Sequence, residues 1–116
     1  MARVVAFVPD LLFGSNVLGA LRAGGHDAVL VSDAEGLRRE IADAQALVLD
    51  LTAAAAERIA TVNETPHEGI RTLAFYSHVE QDVRAQADRA GFDLVVPRSR
   101  MAREGAALVT RLLETR

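Results

Sequence analysis

Six residues stand where a strand pattern gives way to a turn and carry side chains suited to chemistry: Asp10, Asp50, Thr52, Ser77, His78 and Arg98. Two carboxylates can hold a hard cation between them. A serine hydroxyl and an arginine fork can hold the oxygens of an anion. Other chemistries lack their residues. The chain has no Cys, so thiolate ligands, disulfides and a Cys nucleophile are excluded. Gly14 and Gly19 do not form G-x-G-x-x-G, and no Gly-Lys-Ser/Thr follows the first strand. Ser77 and His78 are adjacent, a spacing that rarely sets a hydroxyl against an imidazole as a triad requires. No second His lies at ligand spacing from His78, while His26 falls in a turn and His67 in a loop.

Each candidate also has a purely structural use. Asp10 can cap the first helix, and Asp50 the third. Ser77 suits a strand-to-helix turn, His78 a turn or surface position, and Arg98-Ser99-Arg100 a solvated loop.

The element that positions Asp50 is Ala46-Leu47-Val48-Leu49-Asp50-Leu51-Thr52. Val48, Leu49 and Leu51 have no polar alternation, so both faces of this strand must be covered. Such a strand belongs in the middle of a parallel sheet, and an Asp at its carboxyl end faces the crevice where open α/β sheets bind ligands. Around it the chain alternates. Arg3 to Val8 reads as a strand closed by Pro9-Asp10, and Leu11 to Ala23 as a helix with Leu12, Val17, Leu18 and Leu21 near one face. Gly24-Gly25 stops that helix. Ala28 to Val31 is the second strand, and Ala34 to Asp43 a helix capped by Ser32 or Asp33. Thr52 caps a helix from Ala53 to about Val62, anchored by Ile59. A polar loop from Asn63 to Gly69 follows. Ile70 to Tyr76 is the fourth strand, Glu80 to Ala90 a helix stopped by Gly91, Phe92 to Val96 the fifth strand, ended by Pro97, and Arg103 to Glu114 the last helix. Five strands alternating with five helices predict a single α/β domain over residues 1–116. It is a flavodoxin-like three-layer sandwich with a five-stranded parallel sheet in the order 2-1-3-4-5. Its switch point lies between strands one and three, which sets Asp10 and Asp50 across one crevice.

Composition narrows the partners. A net charge of −3 argues against general nucleic-acid binding. No apolar run approaches the ~20 residues of a membrane span. A strand pattern beginning at Arg3 leaves no room for a signal peptide, so a cytoplasmic domain is expected. All 13 basic residues are Arg.

With these residues in place, the chain resembles the receiver domain of bacterial response regulators over essentially its whole length. Val8-Pro9-Asp10 matches the family's acidic pair with Pro in place of the first acid. Val48-Leu49-Asp50-Leu51 matches the phosphoacceptor strand, and Tyr76-Ser77-His78 the strand-four hydroxyl. Gly91-Phe92-Asp93 with Val95-Val96-Pro97-Arg98 matches the last strand, with Arg98 where the family has Lys and Ser99 where it has Pro. The resemblance implies Asp50 as phosphoacceptor, Ser77 and Arg98 as its helpers, and Asp10 with Asp50 as ligands of Mg²⁺. Loss of one acid at Pro9 weakens such a metal site, and Arg98 does not replace a compact ammonium without rearrangement.

Two functions follow from the resemblance. The first is a stand-alone atypical receiver in phosphorelay signalling, not an enzyme. It would act through a sensor kinase or other signalling protein, or through a second copy of itself. The second is a degenerate receiver, a phosphorylation-independent binding or dimerisation module, favoured by Pro9 and the absent Lys. A small flavodoxin-like enzyme built on Asp50, Ser77 and Arg98 is a third class that no motif demands.

Overall fold

The structure, a computed structural model, describes residues 2–77 and 81–114. Its strands are β1 (Arg3–Phe7), β2 (Asp27–Val31), β3 (Ala46–Asp50), β4 (Arg71–Tyr76) and β5 (Leu94–Pro97). They form one parallel sheet in the expected order 2-1-3-4-5. The helices are α1 (Leu11–Ala23), α2 (Ala34–Glu40), α3 (Ala55–Asn63), α4 (Gln81–Ala90) and α5 (Arg98–Glu114), with a 3-10 turn at Ile41–Asp43. His78, Val79 and Glu80 lie outside the described residues, so the sequence reading of His78 and of Glu80 as a helix start falls there too. No helix among the described residues is long and apolar enough to cross a membrane.

Strand alternation splits the core in two. Val4, Ala6, Val48, Leu73 and Phe75 face α1 and α5, where Val17, Leu21, Leu108 and Leu112 meet them. Val5, Phe7, Leu47, Leu49, Ala74 and Tyr76 face the other way, against Leu37, Val62, Val83 and Ala87. All five residues of β3 are buried, as a central strand covered on both faces requires.

Several boundaries differ from expectation, each for a local reason. α5 begins at Arg98 rather than Arg103, so Arg98-Ser99-Arg100 is the first turn of a helix and not a loop. The chain passes from strand to helix without a connecting loop, and Met101, the fourth residue of the helix, is buried. Pro97 pairs with Tyr76 as the last residue of β5, and β5 is an edge strand, where a proline is tolerated. Leu12 is 77% exposed, and Gly14 takes the inward place on α1 beside Val17 and Leu21. In α3 the buried anchor is Val62, with Ile59 half-buried. Thr52 does not cap α3. The residue before the helix is Ala54, at φ 49° and ψ 43°, and Thr52 turns its side chain back to Asp50.

Candidate functional site at the carboxyl edge of the sheet

The register places Asp10, Asp50, Ser77 and Arg98 along one edge. Phe7 pairs with Leu49, so the chain leaves β1 towards Asp10 beside the end of β3. Asp50 pairs with Phe75, so Ser77 follows two residues later on the far side. Tyr76 is packed in the core against α4, with Arg84 Nη1 at 3.5 Å from its hydroxyl. Tyr76, next to the Phe75 that pairs with Asp50, therefore faces away from Asp50, a point the sequence alone left open.

Within this edge the side chains separate into two groups. Asp10 is exposed, and its Oδ1 accepts the Phe13 amide hydrogen at 3.0 Å. It is the N-cap of α1, satisfying one of the donors that a helix start leaves unpaired. The Phe13 ring packs tilted on Phe75 at 5.3 Å between centroids. The Arg98 guanidinium stacks on the same ring, its Cζ 4.2 Å from the centroid. Asp10 and Arg98 thus meet through Phe13, one at its backbone and one at its ring.

Asp50 is different. Only 1% of the residue is exposed. Its Oδ1 accepts from the Thr52 amide at 2.7 Å and from the Thr52 hydroxyl at 2.5 Å. Its Oδ2 lies 3.4 Å from Arg58 Nη1, and that nitrogen also donates to the Asp50 backbone carbonyl at 2.9 Å. Arg58 sits in the first turn of α3, where its amide bonds the Ala54 carbonyl at 3.0 Å. A buried carboxylate is tolerated when it is paired and hydrogen-bonded, and here both oxygens are served by the chain itself.

Neither Thr52 in this role nor Arg58 was among the residues picked from the sequence. One signal for Arg58 was visible: it is the single Arg between Arg39 and Arg71. The other two histidines bond locally or across helices rather than at this edge. His67 Nδ1 meets the Thr65 carbonyl at 2.7 Å, and His26 Nε2 meets Thr110 Oγ1 at 3.0 Å.

No family model matches the chain, and no curated protein sequence matches it. Solved structures do match. NtrX from Brucella abortus, in complex with ADP, superposes with a TM-score of 0.84 at 19% identity, over 97% of this chain and 26% of NtrX. A response regulator from Thermotoga maritima gives 0.78 at 14% identity, over 99% of each chain. The receiver domain of a sensor histidine kinase from Pseudomonas aeruginosa gives 0.79 at 14% identity over 98% of each chain, and that structure has a magnesium ion in its active site cleft.

The chain has the receiver fold.

Within a receiver fold, the question for this edge is whether its residues suit a divalent cation. Pro9 carries no carboxylate, Asp10 spends Oδ1 on a helix cap, and Asp50 Oδ2 is already beside a guanidinium. Among the described residues no group of three or more His, Asp or Glu is arranged to hold a metal ion. As arranged, the donor set does not fit Mg²⁺, which binds through one or two carboxylates free to face it.

Proposed function

We propose that this receiver-fold chain is a signalling domain that works as a phosphorylation-independent binding module. One observation carries the reading: the carboxylate at the phosphoacceptor position is buried, with Thr52 on one oxygen and Arg58 on the other. In-line attack on a phosphoryl group needs a carboxylate oxygen open to solvent and a cation to neutralise the incoming charge. Here the cation is a guanidinium already engaged with the nucleophile. Pro9 in place of an acid, and the absence of any Lys, point the same way. The output would pass through helix faces to a cytoplasmic signalling protein such as a sensor kinase, or to a second copy of the chain. Ser77 and Arg98 would then shape the loop edge, with Arg98 holding α5 to α1 through Phe13.

A second reading keeps Asp50 as phosphoacceptor, with Mg²⁺ at Asp10 and Asp50 and with Ser77 and Arg98 as helpers. Its support is position: Asp50 closes the central strand between the ends of β1 and β4. It requires the Arg58 pair to open first.

Incubation with acetyl phosphate and Mg²⁺ followed by intact-mass measurement separates the two. The binding-module reading expects an unchanged mass. An acid-labile phosphoryl adduct that Asp50→Asn abolishes overturns it and establishes the second reading.

A further inference from the structure

We propose that Arg58 is the resident counter-ion of Asp50, supplying from within the chain the positive charge that a receiver site otherwise takes from a divalent cation. The inference rests on the binding-module reading and names the residue that enforces it.

The charge balance supports it. Pro9 leaves the edge one acid short, so the buried centre carries the single negative charge of Asp50. One guanidinium neutralises that one carboxylate, so the buried charge calls for no further cation while Arg58 is in place. The geometry supports it as well. Arg58 Nη1 reaches both the carboxylate and the backbone carbonyl of Asp50, at 3.4 Å and 2.9 Å, so it clamps the end of β3 rather than grazing it. The Arg58 side chain is 16% exposed against 2% for Asp50, which places the pair at the inner wall of the edge. The backbone is held to match. Ala54, four residues before Arg58, is the sole non-glycine with positive φ among the described residues, and its carbonyl receives the Arg58 amide. A left-handed alanine is unfavourable and persists where surrounding contacts demand it. The Arg58 clamp is such a contact. Arg58 is thereby a positioning residue: it holds Asp50 and the β3–α3 loop in one arrangement and keeps the carboxylate from a metal.

The test removes the charge and asks whether a metal replaces it. The thermal midpoint of the wild-type chain and of Arg58→Met is measured with and without 10 mM Mg²⁺, a dose of about ten times a millimolar dissociation constant, with NaCl at matched ionic strength as control. The wild-type midpoint is expected to stay within about 1 °C, and that of Arg58→Met to rise by about 5 °C with Mg²⁺. The response should vanish in Asp50→Asn/Arg58→Met, and Arg58→Lys should stay insensitive like the wild type. If Arg58→Met is unfolded in both buffers, the titration is run in trimethylamine N-oxide, which favours the compact state. An Arg58→Met chain with no Mg²⁺ response overturns the proposal, as does a wild-type midpoint that rises equally. The first result leaves the binding-module reading standing if no adduct forms. An adduct on the wild-type chain removes that reading itself.

Discussion

Two aspartates close neighbouring strands of the same sheet, and they live under opposite conditions. Asp10 is exposed and spends its charge on the first turn of α1. Asp50 is buried and spends its charge on Thr52 and Arg58. A residue at a strand end has two ways to be stable. It can remain in water and cap a helix, where the gain is modest and insensitive to its neighbours. It can also go inside, where it must bring partners and where losing one of them is costly. Sequence position makes the two look equivalent, but burial separates them.

The contrast can be broken most forcefully at the buried end. Arg58→Met leaves the Asp50 charge unpaired and should lower unfolding free energy by about 3 kcal/mol, measured by urea denaturation. A loss below about 1 kcal/mol would put Asp50 on the same footing as a surface group. At the exposed end, Asp10→Ala removes a helix cap and nothing more. The expected loss is about 1 kcal/mol, with Arg58 and Asp50 undisturbed. A larger effect would show that Asp10 contributes to the buried site. The smallest effect sharpens the loop between the two partners. Ala54→Gly relieves the left-handed backbone at φ 49° and should raise stability by about 0.5 kcal/mol, the relief being partly offset by greater chain entropy when unfolded.

The fold was legible because its signals are long and periodic. The apolar run at β3 has to be covered twice, and the alternation of strands and helices leaves few topologies, so the order 2-1-3-4-5 follows from patterning. The boundaries that moved are places where tertiary contact overrides local preference. Arg98-Ser99-Arg100 is polar and reads as loop, yet Met101 and Leu108 bury against the sheet and pull the helix start back to the end of β5. Thr52 has the composition of a cap, but its hydroxyl found a nearer acceptor in Asp50, the usual competition between side-chain hydrogen bonds and helix caps. The site was legible in its carboxylates and not in its pairing. Arg58 lies eight residues past Asp50 on an alanine-rich helix, reached through a loop that ends in a left-handed Ala54. That loop has no glycine or asparagine to announce it.

The claim that Asp50 and Arg58 act as one paired unit is tested most directly by a double-mutant cycle. Unfolding free energies of the wild type, Asp50→Asn, Arg58→Met and the double variant are compared in urea. The account predicts a coupling of about 2 kcal/mol, with the double variant more stable than Arg58→Met alone. Single-variant losses that add to within about 0.5 kcal/mol would contradict it.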